Sequence, residues 1–395
     1  MQENKLKILI IGGGGREHAI GWKVAQSPRA GQIFFAPGNG GTEKIGANVD
    51  IQATDITKLL SFAKKENIDL TLALPDDPLA LGIVDEFKKE NLRIFGPIRN
   101  ASRLEWSKAF SKEFMRKYNL PTAEFQIFND IEKAKTYLFR QKYPVVIKAS
   151  GLALGKGVII AKNQEEALEA LENIMVKKTL GKAGEEIVIE EFLSGPEISI
   201  HVFTDGEHYS IFPVSQDHKK IGEGNTGPNT GGMGAIAPLS FVGPEILKNI
   251  EEKIVAPTIL HMSENSNKFQ GVLYPGLILT KDGPLGHSLT GEAKILEYNA
   301  RFGDPETQTY MRLLDTDILD IFDACIDGTL DKLEAHPVRS REGSQRASTS
   351  NGIKWKPLFA CTIVLASGGY PGNYEKGKII SGIDEAEMQS DIVVF

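Results

Sequence analysis

The sequence predicts a multidomain protein of α/β and α+β class that opens with a doubly wound parallel sheet. Three observations predict it. A chain of 395 residues is too long for one ordinary core. Apolar runs alternate with helical patterns through the first hundred residues, as in a parallel sheet. Further on, a hairpin, a helix and more strands follow one another, as in α+β units.

The first strand is Ile8-Leu9-Ile10-Ile11, unbroken as in a strand covered on both faces. Gly12 to Gly15 follow, and then a helix over Arg16–Gln26. Strand, glycine turn and helix aim backbone N–H groups at an anion, although such a turn alone more often serves only packing. A dinucleotide is disfavoured. Its fingerprint puts a third glycine where Glu17 stands, and an acid after the second strand, Gln32–Ala36. That strand runs instead into Pro37-Gly38-Asn39-Gly40. A single phosphate, as on a phosphosugar, fits better, with Arg16 and His18 at hand. The alternation continues with helix Ile56–Asn67, strand Leu70–Leu74, turn Pro75-Asp76-Asp77-Pro78, helix Leu79–Glu90 and strand Arg93–Phe95. Ligands bind beyond the carboxyl ends of such strands, where all three turns lie.

A helix over Leu104–Tyr118 carries Lys108 and Lys112 one turn apart. The strand Val145–Lys148 then enters a hairpin whose loop holds Gly151, Gly155 and Gly157, flanked by Lys148 and Lys156. This is no P-loop, which needs four residues between its glycines and a Ser or Thr after its lysine; here Gly157 follows Lys156. A flap over phosphates fits better. A plain surface hairpin is disfavoured because Lys148 ends an apolar strand. After a helix over Glu165–Val176, the strand Glu186–Leu193 carries Glu190 and Glu191, and Glu197 opens the next. Acids so placed are usually solvated.

The stretch Ile295–Gln308 begins as a strand and is stopped by Gly303 and Pro305. Alternation puts Glu297, Asn299 and Arg301 on one face. Carboxylate and amide oxygens suit Mg²⁺, and a guanidinium suits a phosphoryl group gaining charge. A polar edge strand with a solvated ion pair is the equal alternative on these residues alone.

A net charge of −7 and a pI near 5.7 argue against a general nucleic-acid or anionic-membrane binder. The apolar core after Lys7 is too short for a signal peptide or a membrane span, so a cytoplasmic protein is expected. Cys325 and Cys361 each lie in an apolar run and read as buried, reduced thiols.

Gly13–Ala19 (GGGREHA), Ala36–Asn39 (APGN), Phe95–Pro97 and Ser107–Phe110 (SKAF) lead a series of matching runs. Gly155–Val158, Glu190–Leu193 (EEFL), Ser215–Lys219 (SQDHK), Thr226–Gly234 (TGPNTGGMG), Arg301–Gln308 (RFGDPETQ) and Gly368–Gly372 follow in order. Together they resemble the phosphoribosylamine–glycine ligase (glycinamide ribonucleotide synthetase) family of the ATP-grasp superfamily. The resemblance implies an ATP-grasp core of two α+β subdomains. The expected domains are 1–103, a lid at 123–192, a central domain at 104–122 and 193–333, and a linker with a partial C-terminal domain at 334–395. It implies ATP-dependent ligation of glycine to 5-phosphoribosylamine through glycyl phosphate, with Mg²⁺ (Mn²⁺ as an alternative), in a monomer or weak homodimer.

By the same resemblance Lys108 and Lys148 contact ATP phosphates, and the loop with Gly151, Gly155 and Lys156 closes over them. Glu190, Glu191, Phe192 and Leu193 stand beside adenine, and Glu197 beside the ribose. Glu297 and Asn299 are the metal ligands. Asp217, Gly232, Arg301, Gly303 and Asp304 form the glycine and acyl-phosphate region, where Arg301, Lys148 and Asp217 are the expected catalytic residues. Gly14, Arg16, Glu17, His18, Asn39, Pro75 and Asp76 form the phosphoribosylamine site. The chain departs from the family pattern at Ser150, where Asp is usual, at Leu154, where Ala is usual, and at Leu74 and Asp76, where Gly and Glu are usual. Pro284–Glu292 lengthens a hairpin. Residues 336–356 read as a linker, with strands at Leu358–Ala366, Ile379–Ile383 and Val393–Phe395, the last giving the end of the chain the look of a truncation. A carboxylase-type ligase of the same superfamily, a catalytically silent nucleotide binder and a nicotinamide enzyme are the weaker alternatives. The SQDHK and TGPNTGGMG runs count against the first.

Overall fold

The structure, a computed structural model, describes residues 5–152, 157–264, 267–280, 292–333 and 352–395. Its N-terminal part is the expected parallel sheet. Strands β1 (Leu6–Gly12), β2 (Ala30–Pro37), β3 (Ala47–Asn48), β4 (Leu70–Ala73) and β5 (Ile94–Phe95) lie in the order β3-β2-β1-β4-β5. Helices α1 (Gly15–Val24), α2 (Ile56–Glu66), α3 (Asp76–Leu81) and α4 (Ile83–Lys89) connect them. Alternation along β1 sends Leu9 and Ile11 into one core with Leu59, Ile83 and Phe87. Ile8 and Ile10 enter another, which extends to Phe302, Tyr310 and Phe322 far along the chain. Both faces are thus dry, which explains the unbroken apolar run. The strand order reverses between β1 and β4, so the crevice lies beyond Gly12 and Ala73.

Two expected helices are each broken in two. Leu79–Glu90 becomes α3 and α4 because Gly82 takes φ +91°, a left-handed turn that glycine permits. Leu104–Tyr118 becomes α5 (Arg103–Trp106) and α6 (Lys108–Lys117). Ser107 stands extended between them and accepts the Phe110 N–H at 3.3 Å. That cap places Lys108 in the first turn of α6.

Strands β6 (Phe125–Phe128), β7 (Val145–Ala149), β8 (Val158–Ala161) and β9 (Ile187–Glu191) form an antiparallel sheet in the order β6-β9-β7-β8. Helices α7 (Ile131–Leu138) and α8 (Gln164–Leu171) cover its inner face. The expected Glu165–Val176 helix changes pitch after α8, finishing as a π turn at Glu172–Val176.

The next unit is built on β17 (Gly271–Leu279). It pairs with β10 (Glu197–Ser199), β11 (Val202–Thr204) and β18 (Ala293–Asn299), and β12 (Tyr209–Ile211) extends the sheet beyond β11. Beside it run β13 (Gln216–Asp217), the hairpin β14 (Lys220–Gly222) and β15 (Thr226–Asn229), and β16 (Gly234–Ala237). Helices α9 (Pro244–Ile250), α10 (Ala256–Glu264), α11 (Glu306–Leu313) and α12 (Ile318–Asp327) complete it. β19 (Ala360–Ile363) adds to β16, and α13 (Ile383–Glu387) follows.

Three expectations for the C-terminal part are overturned. The stretch read as a linker is already core at its far end: Ile353 is buried, and Trp355 packs on Phe212 and Tyr310. Ile379–Ile383 and Val393–Phe395 form no strands, since no described residue pairs with them; Ile379 is 95 % exposed. Cys325 is buried as expected, but Cys361 on β19 is exposed. Most of the linker and the Pro284–Glu292 insertion fall outside the described residues. Among the described residues no helix is long and apolar enough to cross a membrane.

Candidate active site

Acidic side chains and four lysines meet where the four-stranded sheet faces β18. Lys148, at the end of β7, donates to the Leu296 carbonyl at 2.8 Å and lies 3.1 Å from Glu190 Oε1. The other Glu190 oxygen is 3.0 Å from Lys112 Nζ, which also donates to Thr122 Oγ1 at 2.7 Å. Burial lowers the Lys112 ammonium to about 8 despite Glu190. Lys108 Nζ lies 3.5 Å from Glu297 Oε2. Burial would raise the Glu297 carboxyl, but Lys108, Lys219 and Lys148 together hold it down to about 2. Lys219 completes the group, 3.7 Å from Glu197. Burial pulls its ammonium down, and Glu297, Glu197, Asp217 and Glu306 more than offset that.

Arg301 follows β18 and turns back toward it. Its Nη2 lies 2.9 Å from Glu105 Oε1 and donates to Asn299 Oδ1 at 3.4 Å, while Nη1 donates to the Phe302 carbonyl at 3.1 Å. Burial works against the guanidinium, but Glu105 and Asp76 keep it charged. Its Nε is buried and has no hydrogen-bond partner among the described residues. Asp76 begins α3 beyond β4, and its charge is one of those that favour the Arg301 guanidinium. Pro75 caps α3 half-buried.

Asp217, on β13, also has a buried oxygen, Oδ1, without a hydrogen-bond partner among the described residues. Burial and Glu306 lift its carboxyl to about 8. Gly232 backs this oxygen, leaving only 2.9 Å for a Cβ. Asp304 Oδ1 accepts from Gln308 Nε2 at 2.7 Å. A Cβ on Gly15 would fall 2.7 Å from the same Gln308 nitrogen, so the N-terminal glycine turn abuts the RFGDPETQ loop.

Within that turn the polar side chains are largely spoken for. Glu17 accepts the Gly14 N–H at 2.8 Å and the Arg16 Nε–H at 2.6 Å. Arg16 Nη1 reaches the Phe302 carbonyl at 3.1 Å. Asn39 Oδ1 accepts from Gly41 N at 2.7 Å and Thr42 N at 3.0 Å, and Nδ2 donates to Gly13 O at 3.1 Å. His18 keeps a buried Nδ1 with no hydrogen-bond partner among the described residues and packs edge-on against Phe395. Further out, Glu191 accepts the Glu124 N–H at 3.0 Å, Phe192 is exposed and Leu193 half-buried. Gly151 backs closely on Ala183. Gly155 and Lys156 lie outside the described residues.

Ser150 stands where an acid is usual in the resembling family; here its hydroxyl accepts the Ala109 N–H at 3.0 Å, capping the start of α6. Sequence reasoning missed Glu105, Lys219, Glu306 and His201 as members of the site. Lys219 sat inside a quoted motif, and its neighbourhood of acids was the available signal. Glu306 likewise sat inside the RFGDPETQ run, while Glu105 and His201 are brought in by contacts between distant segments, which no local pattern announces.

Two family models match the chain: the N domain of phosphoribosylglycinamide synthetase over residues 6–105, and its ATP-grasp (A) domain over 106–307. The chain belongs to the phosphoribosylamine–glycine ligase family. It is 45% identical over 390 residues to the Vibrio parahaemolyticus phosphoribosylamine–glycine ligase, covering 98% of this chain and 85% of that one. It is 46% identical over 385 residues to the Salmonella typhi ligase, covering 97% and 84%. A crystal structure of the Thermotoga maritima phosphoribosylamine–glycine ligase matches with a TM-score of 0.75 and 32% identity, over 94% of this chain and 83% of that one. The biotin carboxylase domain of Hydrogenobacter thermophilus 2-oxoglutarate carboxylase shares the fold, with a TM-score of 0.65 and 16% identity over 91% of this chain and 74% of that one. The chain is thus an ATP-dependent ligase that joins glycine to phosphoribosylamine in purine biosynthesis.

Proposed function

We propose that glycine is activated and joined to phosphoribosylamine at one site, between residues 123–192 as a lid and a central domain of residues 104–122 and 193–333. The reading is carried by the convergence of Lys108, Lys148 and Lys219 on Glu297, four residues before Arg301. Phosphoryl transfer asks for positioning and charge neutralisation rather than a covalent nucleophile. Lys108 and Lys148 take the phosphates of ATP, with Glu190, Glu191, Phe192 and Leu193 beside the base and Glu197 beside the ribose. The Glu297 carboxylate, ionised throughout the neutral range, and the Asn299 amide oxygen fit Mg²⁺, a hard cation that takes oxygen ligands. The metal would neutralise charge on the phosphates.

Asp217, backed by Gly232, faces glycine's ammonium. A glycine carboxylate oxygen attacks the γ-phosphorus, ADP leaves, and Arg301 faces the glycyl phosphate that results. The phosphoribosylamine nitrogen then attacks the acyl carbon, phosphate departs, and the nitrogen loses a proton to leave the amide. Arg16, Glu17 and Asn39 hold the N-terminal turn that receives the sugar phosphate, with Gly14, His18, Pro75 and Asp76 around it. Gly303 and Asp304 shape the loop between the two halves.

Hydroxylamine traps acyl phosphates as hydroxamates. With Mg²⁺, ATP, glycine and hydroxylamine, the chain is expected to form glycine hydroxamate in an ATP-dependent manner. Amide synthesis in complete mixtures without any hydroxamate would overturn the glycyl phosphate step.

A further inference from the structure

His201 is fully buried between β10 and β11 and belongs to none of the motifs above. Its ring stacks on Tyr274, centroids 4.0 Å apart. Both ring nitrogens are used. Nε2 accepts the Gly303 N–H at 3.0 Å, and Nδ1 lies 3.0 Å from Tyr310 Oη. A backbone N–H can only donate, so Nε2 is bare, and a neutral imidazole then carries its proton on Nδ1. That proton goes to Tyr310 Oη, which leaves the tyrosine's own proton for Ser215 Oγ, 2.6 Å away. Three hydrogen bonds therefore run from the amide two residues after Arg301 to the side chain two residues before Asp217.

The loop has little freedom around this contact. A Cβ at Gly303 would lie 2.8 Å from His201 Nε2 and 2.5 Å from Glu306 Oε2. Glu306 is itself fixed, with Oε1 accepting from Tyr274 Oη at 2.6 Å and Ser199 Oγ at 3.1 Å. Burial and the charge of Arg301 both keep His201 neutral, and hence an acceptor. A histidine that merely filled the core would not need its acceptor aimed at the backbone of this particular loop.

We propose that His201 is a positioning residue for the ligation. It fixes the Gly303 amide, and with it the loop carrying Arg301 and Asp304. Through Tyr310 and Ser215 it ties that loop to the strand carrying Asp217, so that the two halves of the glycine site stay in register. This rests on the reading of Asp217 and Arg301 given above. A misplacement of the order of 1 Å at reacting groups costs up to about a hundredfold in rate.

The test uses the full chain with His201→Leu, which removes the acceptor, and His201→Gln, whose Oε1 reaches the place of Nε2. Steady-state kinetics are measured with Mg·ATP, glycine and freshly generated phosphoribosylamine, and Mg·ATP affinity by calorimetry. Leaving the Gly303 N–H buried and unpaired is expected to lower kcat/KM for glycine roughly tenfold. The Kd for Mg·ATP should stay within about twofold, and His201→Gln should recover most of the loss. Unchanged glycine kinetics in His201→Leu, a His201→Gln variant no better than it, or a parallel loss of ATP affinity would each overturn the proposal. If His201→Leu does not fold, Tyr310→Phe removes the hydroxyl between His201 and Ser215 while keeping the ring. The same selective loss for glycine is expected there, and wild-type glycine kinetics would overturn the coupling. A wild-type chain without glycine-dependent ADP release would defeat the reading of the site and the proposal with it. An active wild type with indifferent variants removes the role of His201 alone.

Discussion

Glu105 grips Arg301 from an element far away in sequence: Oε1 lies 2.9 Å from Arg301 Nη2, and Oε2 accepts the Ala300 N–H at 2.8 Å. One buried carboxylate thus fixes both the charge and the backbone at the end of β18. Breaking a buried pair leaves the surviving charge uncompensated. Glu105→Ala is expected to cost about 3 kcal/mol of stability in urea unfolding. It should also lower kcat at least tenfold, with Mg·ATP affinity nearly unchanged.

The phosphate role proposed for Lys148 requires it to leave contacts with the Leu296 carbonyl and Glu190. Lys148→Met should weaken Mg·ATP binding by about thirtyfold, or about 2 kcal/mol, as read by calorimetry. The fold should survive, because Lys112 remains against Glu190 at 3.0 Å.

Glu297 is one third exposed and faces Lys108 at 3.5 Å, so its removal leaves no sealed cavity. Glu297→Ala is expected to abolish turnover while thermal unfolding stays within a few degrees of wild type, about 1 kcal/mol or less. Chelating the divalent metal from the wild-type protein should have the same effect on turnover and be reversed by Mg²⁺. Wild-type rates in Glu297→Ala would remove the metal assignment.

Asp217 gives the site a pH signature. Burial and Glu306 raise its carboxyl to about 8, so at neutral pH the free protein holds it mostly protonated. Only the ionised form pairs with an ammonium, so kcat/KM for glycine should rise with pH and level off above about 8. Asp217→Asn should lower the plateau and flatten the rise. The stability effect has the opposite sign. The folded value exceeds the ordinary 3.8, so this contribution is fully present below pH 3.8 and is lost as pH rises through about 8. Urea midpoints for wild type and Asp217→Asn, compared across that window, check it.

Much of the fold was legible because its signals are local. The apolar run Ile8–Ile11 marks a strand dry on both faces, and the Gly151–Gly157 loop between apolar runs marks the β7–β8 hairpin. The breaks at Gly82 and Ser107 were not, because helical periodicity continues across each and only the backbone conformation interrupts it. The apolar residues Ile379 and Ile380 suggested a strand, but pairing needs a partner with a free edge. Within the candidate site, Glu297 and Asn299 were readable from one strand, with Arg301 just beyond the end of β18. Glu105 and His201 were not, since each enters through a contact between segments about a hundred or more residues apart.

ADP release in the presence of Mg²⁺ and ATP, with glycine and freshly generated phosphoribosylamine added singly and together, tests the central claim most directly. Sustained release that requires both substrates, and yields glycinamide ribonucleotide in equal amount, is the predicted result. Release that is indifferent to glycine, or absent from the complete mixture while ATP is bound, would contradict it.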